Sequence, residues 1–383
     1  MDFELTDTQR AVQEAARAFA RERLAPAAAK NDRLGRFPRE LIQEAGDLGL
    51  LAVNVPAELG GAEAGAVAAM LALTEIAAVD CAVAVTLGVT NMVGETVARF
   101  GTEAQKRAYL PALASGELVA GAFALSEAQA GRDPASMSTR AVQRGDHWVI
   151  DGEKQWISSG DVAGLLIVWA RTDPAAGSRG VTAFLVPRGT AGLTVGRHEQ
   201  KMGLRASTTV ALGFEGCAVP DSARLGAPGD GLRIALAALD GGRIGIGAQA
   251  TGTIRAALEA SVRYAKERIT FGVPLAEHQA IRFMLADMAT EGETARLLTL
   301  RAAALKEAGQ PMGREAAMAK LWSSEAAQRA VSRAVQIHGG YGYTDAFPVE
   351  RYFRDARVQT IYEGTSEIQR LVIAREILKE PDA

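Results

Sequence analysis

The chain has 383 residues, 48% of them hydrophobic and 23% charged, the composition of a globular protein large enough for two or three domains. A formal net charge of −3 excludes the basic surplus of a nucleic-acid footprint, and two distant cysteines, Cys81 and Cys217, exclude a disulfide framework. No uninterrupted apolar run reaches spanning length, and the four scattered histidines form no HExxH pattern, so neither a membrane span nor a metal site is expected.

The opening MDFELTDTQR is acidic and polar, unlike a signal or transit peptide, so a cytoplasmic protein is expected. Thr6 and Gln9 have capping-box spacing, with Val12, Ala15, Ala16, Phe19 and Ala20 following at helical intervals. Pro26 is expected to close that region. Further helices are expected over Pro38–Leu48, Val67–Val79, Ala82–Phe100 and Glu103–Leu110. Near Ser126 the period changes. His147–Ile150, an Asp151-Gly152 turn and Lys154–Ser158 predict a hairpin. Leu165–Ala170, Val181–Val186, Leu193–Arg197 and Thr208–Phe214 are further strand candidates. From Gly231 the helical period returns, over Leu232–Arg268, Leu275–Ala308, Arg314–His338, Val349–Arg357 and from Ser366 onward. The fold class is therefore α+β and mainly α: an N-terminal helical domain (1–125), a middle antiparallel β domain (126–230) and a C-terminal helical bundle (231–383).

Gly245, Gly247 and Ala250 fit GxGxxA. The preceding Ile234–Asp240 predicts helix, so close helix packing is expected there and a nicotinamide site is not. Glu363 stands between Tyr362 and Gly364, just before the last helix. Ser366 and Gln369 have the spacing of a capping box for that helix. A carboxylate beside an aromatic ring can lose solvation, gain pKa and serve as a general base. It can equally be an exposed loop acid, and local chemistry leaves both readings open.

The segment IYEGTSEIQR (361–370) resembles the C-terminal signature of the acyl-CoA dehydrogenases, and further motifs recur in family order along nearly the whole chain. The resemblance implies the three-domain fold ending in a four-helix bundle, with Glu363 as the base that abstracts the substrate α-proton. FALSEAQAGRDPASM from Phe123 resembles the family's flavin loop, which places Phe123, Leu125 and Ser126 at FAD. Ala128 and Gln129 stand where the family has Pro-Gly, and Arg132 stands where a serine meets the CoA chain. Arg132 is expected to pair with CoA phosphates there. Trp156, Ile157 and Ser158 resemble the Trp-Ile-Thr/Ser flavin motif. LDGGRIGIG (239–247) resembles the helix lining the acyl-CoA channel, implying substrate contacts from Asp240 and Arg243, with Tyr362 and Gly364 beside them. Some members carry the catalytic Glu immediately before that Arg. Here the position is Gly242, which leaves Glu363 as the family base. Arg268, Thr270, Phe271, His278 and Gln279 resemble a segment that reaches a neighbouring subunit's FAD. Gln336, Ile337, Gly339 and Gly340 resemble the turn at its adenosine part, and Thr365 and Glu367 complete the flavin contacts.

The function this implies is FAD-dependent α,β-dehydrogenation of an acyl-CoA, short-chain by the look of the C-terminal third. Electrons would pass to an electron-transfer flavoprotein, and the assembly would be a homotetramer built as a dimer of dimers. Two rival chemistries share the fold, a flavin oxidase or monooxygenase and a dehydrogenase of carrier-protein thioesters. A non-catalytic nucleic-acid-associated relative is disfavoured by the charge.

Overall fold

Reciprocal side-chain caps set the first helix. Gln9 N donates to Thr6 Oγ1 at 3.2 Å and Thr6 N to Gln9 Oε1 at 3.0 Å; Thr102 and Gln105 repeat the device. The computed structural model describes residues 4–379, so residues 1–3 and 380–383, at the outer ends of the first and third domains, lie outside the described residues. Six helices come first: α1 (Asp7–Phe19), α2 (Ala25–Leu34), α3 (Arg39–Asp47), α4 (Ala66–Ala77), α5 (Cys81–Phe100) and α6 (Glu103–Ala114). Pro26 does not end the first helical region. A wide π turn, Ala20–Leu24, carries α1 into α2, and Pro26 falls in the first turn of α2, where its missing N–H and its ring are tolerated. The stop is Gly35, at φ 59°.

Helix α4 buries eleven of its twelve residues, as an all-round apolar helix must. Helix α5 spans 20 residues and is apolar enough to cross a membrane, although most of it is buried in this fold. No such segment is expected from the sequence alone, because single polar residues interrupt its apolar run.

The middle sheet contains β1 (Gly121–Ala124), β2 (Arg140–Arg144), β3 (His147–Ser158), β4 (Leu165–Arg171), β5 (Val181–Pro187), β6 (Leu193–His198), β7 (Thr209–Pro220) and β8 (Arg224–Leu225). Their order is β6-β7-β3-β2-β4-β5-β8, with β1 beside β4. Pairing is antiparallel except where β1 and one residue of β2 run parallel to β4. The expected hairpin at Asp151-Gly152 is absent: β3 runs straight through it. Gly152, at φ 141°, is a bulge with a register shift against β7, and a Cβ there would stand 2.6 Å from Thr139 Cα. The hairpin turn lies earlier, at Gly145-Asp146, between the paired Arg144 and His147.

The C-terminal part holds α7 (Gly231–Glu267), a hairpin of β9 (Ile269–Thr270) and β10 (Val273–Pro274), α8 (Gln279–Glu307), α9 (Gly313–His338), α10 (Val349–Ala356) and α11 (Ser366–Ile377). Helices α7, α8, α9 and α11 form the bundle. The glycines of α7 allow the close helix contacts expected of them. A Cβ at Gly247 would lie 2.8 Å from Thr299 Oγ1 of α8, and one at Gly252 2.4 Å from the Thr74 carbonyl of α4. Helix α7 therefore packs on the bundle and on the first helical layer together. A second tie joins all three layers at α10. Arg354 bonds Asp32 of α2 at 2.7 Å and the Met202 carbonyl at 3.3 Å, while Leu204 N donates to Asp355 Oδ1.

Candidate active site

The last helix starts at Ser366, as expected, but its cap is not the Ser366 that capping-box spacing suggests. Thr365 is the N-cap, accepting from Ile368 N at 3.4 Å. Gln369 is thereby freed from capping. Its side-chain amide donates to the carbonyls of Glu363 and Gly364, at 3.2 and 2.9 Å. These bonds hold two consecutive left-handed residues, Glu363 at φ 52° and Gly364 at φ 88°. Left-handed backbone costs a non-glycine residue roughly 1–2 kcal/mol, so Glu363 is locked by its surroundings.

That backbone aims the Glu363 carboxylate inward. Its Oε2 is sealed from solvent and has no hydrogen-bond partner. A Cβ at Gly242 of α7 would stand 2.6 Å from this oxygen and 3.1 Å from Met92 Sδ, so the glycine makes the space the carboxylate occupies. Burial pushes the Glu363 carboxyl up to about 7, against the opposing pull of the Arg243 and Lys320 charges. Arg243 is itself buried and ion-paired to Asp240 on its own helix, with its Nε unpartnered. The Tyr362 hydroxyl donates to Gln249 Oε1 at 2.6 Å. Lys320 of α9, which no motif marks, donates to the Gly364 carbonyl at 2.7 Å.

Behind this loop lies an open cavity of ≈ 460 Å³, lined by Glu325, Gln328, Arg357, Thr360, Ile361, Thr365, Ser366 and Glu367. The start of α11 faces it, and the buried Ser366 hydroxyl has no partner. Arg132 is exposed, and its charge helps to hold the Glu367 carboxyl below the usual range, after the Glu367 bonds to Thr365 and its own backbone. In the sheet, Trp156 is 60% exposed at φ 64°, whereas Ile157 is buried and Ser158 pairs with Thr209. Phe123 packs its ring on Trp169, centroids 4.2 Å apart. Phe123 and Ile157 thus turn side chain into the fold and keep only backbone for a ligand. The Leu125 carbonyl accepts from Lys154 Nζ at 3.2 Å, and the Ser126 carbonyl from Gln155 N at 2.9 Å. Lys154 and Glu127, another pair that no motif marks, form a fully buried ion pair at 2.8 Å beneath this loop.

The remaining predicted residues lie elsewhere. Arg268 ends α7, 25 residues beyond Arg243 and so roughly 37 Å along the helix. The β9–β10 hairpin that follows projects Phe271, 98% exposed at φ 51°, while Thr270 Oγ1 meets His278 Nε2 at 3.1 Å and Gln279 opens α8 on the surface. Gln336 is exposed and Ile337 buried in the bundle; Gly339 and Gly340 are exposed, with nothing near a Cβ at either. Within one subunit these residues do not join the Glu363 site.

The chain matches the models of the acyl-CoA dehydrogenase N-terminal domain (residues 6–117), middle domain (122–217) and C-terminal domain (229–378). It is 46% identical to the mitochondrial short-chain specific acyl-CoA dehydrogenase of Mus musculus, over 98% of this chain and 91% of that one. The butyryl-CoA dehydrogenase structure from Megasphaera elsdenii superposes with a TM-score of 0.97 at 41% identity, over 99% of this chain and all of that one. A chain from the structure described as the electron transferring flavoprotein of Acidaminococcus fermentans superposes at 0.98, also at 41% identity, over 99% of this chain and 100% of that one. Matches along its whole length, on a fold of the same order, place this chain in the acyl-CoA dehydrogenase family of oxidoreductases.

Proposed function

We propose that this protein is an FAD-dependent short-chain acyl-CoA dehydrogenase that forms the trans-2-enoyl-CoA and passes its electrons to an electron-transfer flavoprotein. The observation that carries the reading is Glu363 Oε2, sealed, unpaired and seated in the space that Gly242 leaves for it. The residues present suit FAD. The helix start with its unpartnered Ser366 hydroxyl offers donors, Trp156 offers an exposed ring, and Gly339 and Gly340 leave backbone bare for close approach. We assign Phe123, Leu125, Ser126, Trp156, Ile157, Ser158, Thr365 and Glu367 to the flavin of their own subunit. The residues of the 268–279 segment and of the α9 end are assigned to a neighbour's flavin, which requires at least a dimer and is consistent with a tetramer.

When bound, FAD supplies the acceptor for the β-hydrogen, taken as hydride. Glu363 takes the α-proton at Oε2. Its free-site pKa near 7 suits a base that must accept a proton in one step and release it in the next. The Glu363 backbone N–H, in its fixed left-handed conformation, is our donor for the thioester carbonyl as enolate charge develops. Asp240 keeps the Arg243 guanidinium tethered, so it lends charge without capturing the base. Chain length follows from α7. Gln249 lies two turns beyond Gly242 on the same face, roughly 10 Å away, and Tyr362 closes against it. A longer acyl chain would have to displace that part-buried, hydrogen-bonded pair, which favours short substrates. Anaerobic titration of the purified protein with butyryl-, octanoyl- and palmitoyl-CoA tests the reading. Butyryl-CoA should bleach the yellow absorbance fastest. No bleaching by any of them would overturn it.

A further inference from the structure

Helix α9 buries a lysine completely. Lys320 is 0% exposed and ranks among the largest fully buried side chains of the protein. A buried ammonium normally sits against a carboxylate, as Lys154 does against Glu127 at 2.8 Å. Lys320 does not. Among the described residues no carboxylate lies within ion-pair distance of it, and its Nζ donates to the Gly364 carbonyl at 2.7 Å. That carbonyl belongs to the left-handed residue directly after Glu363.

We propose that Lys320 is a positioning residue for the Glu363 base: it pins the Gly364 carbonyl and holds a fixed positive charge behind the carboxylate. The inference rests on reading Glu363 as the base. Gln369 makes the comparison possible, because its neutral amide bonds the same Gly364 carbonyl at 2.9 Å and the Glu363 carbonyl at 3.2 Å. The loop thus has a neutral tether from α11 and a charged one from α9. A loop that needed holding only would be served by two amides, at no cost of burying an ion. The charge has a direct object. Lys320 and Arg243 are the two cations that oppose the desolvation of Glu363. In return, burial pulls the Lys320 amine down to about 8, with Arg243 adding to it and Glu363, Glu367 and Glu325 opposing it. The charged lysine and the ionised Glu363 therefore favour each other.

The test is the pH profile of anaerobic flavin reduction by butyryl-CoA in FAD-loaded enzyme. Lys320→Met should move the rising limb upward by about one unit or more, the scale of one lost neighbouring charge. Its rate below neutrality should fall about tenfold, with partial recovery at high pH. Lys320→Arg, which keeps the charge, should restore the limb. Gln369→Leu should lower the rate without moving it. Lys320→Gln, which keeps a donor but no charge, is read in place of the Met variant if that one does not fold, and should shift the limb equally. A limb unmoved in both neutral variants, or a shift that Lys320→Arg leaves in place, would overturn the proposal. Glu363→Gln is run alongside: if that variant still reduces its flavin at the wild-type rate, the base assignment has failed, which is a separate outcome from a normal Lys320 profile over an inactive Glu363→Gln.

Discussion

The raised pKa of Glu363 links its proposed role to stability, and both can be measured on one substitution. Glu363→Gln keeps the shape and removes the proposed base. FAD should stay bound while flavin reduction falls by a factor of ~100 or more. The stability sign follows from the direction of the shift. The folded carboxyl titrates at about 7, above its ordinary 4.5, so its contribution is fully present below the ordinary value and lost as pH rises through the folded one. Glu363→Gln should therefore melt higher than wild type at about pH 8 and alongside it at about pH 5, since an amide has no proton to lose. Asp355, also pushed up to about 7 by burial, titrates in both proteins and cancels in the comparison. Gly242 invites a second measurement. The Cβ of Gly242→Ala would meet Glu363 Oε2 at 2.6 Å, and that oxygen ends a flexible side chain that can turn aside. Folding should be little affected, while kcat falls roughly 10- to 100-fold through misplacement of the base.

Among the elements, the β9–β10 hairpin has no buried face of its own. Two residue pairs hold it, yet it carries Phe271 at 98% exposure and Ile269 at 61%. An apolar tip of this kind marks a contact surface. Arg268 stands at its base, the position we assign to a neighbouring subunit's FAD, because a guanidinium can offer fixed donors to a pyrophosphate. Arg268→Ala should lower the flavin-to-protein absorbance ratio and shift gel filtration toward smaller species. Full flavin at unchanged size would show that the hairpin serves neither purpose. Strand β3 teaches a different lesson. Asp-Gly is a strong hairpin signal, but Gly152 is used to admit Thr139 against the strand, a requirement set by a segment of chain outside the local pattern.

At the scale of the whole molecule, α10 ties the bundle to the other two layers. Arg354 bonds Asp32, which is 8% exposed, and the Met202 carbonyl, while Arg351 donates to the Val79 carbonyl at 3.1 Å. Arg354→Ala would leave a buried carboxylate without its counter-charge, a loss of roughly 3–5 kcal/mol. Scanning calorimetry should show a melting temperature lower by roughly 5 °C. An unchanged melting temperature would mean that the contacts of α7 and α8 with the first helical layer suffice to hold it.

The order of helices, strands and helices was legible in the sequence because the hydrophobic period changes near Ser126 and again at Gly231. Glu363 was marked in the sequence by its motif and by Gly242 at the alternative position, and its role as the base is our proposal. Lys320, Gln369 and the Lys154–Glu127 pair were not. Lys320 and Lys154 act through partners distant in sequence, 44 residues in the bond from Lys320 to Gly364, and a lone lysine in a regular pattern looks like a solvated one, whereas Gln369 acts close by, on carbonyls that a capping-box reading does not point to. The cap of α11 was misplaced by one residue because Thr365 and Ser366 are equally good caps locally. The tertiary structure decided between them by needing Gln369 at the Glu363 carbonyl. Local periodicity fixes which segments form and which face they bury. Whether a carboxylate is a solvated loop acid or a poised base depends on what packs over it, and here that is Gly242 from one helix and Lys320 from another.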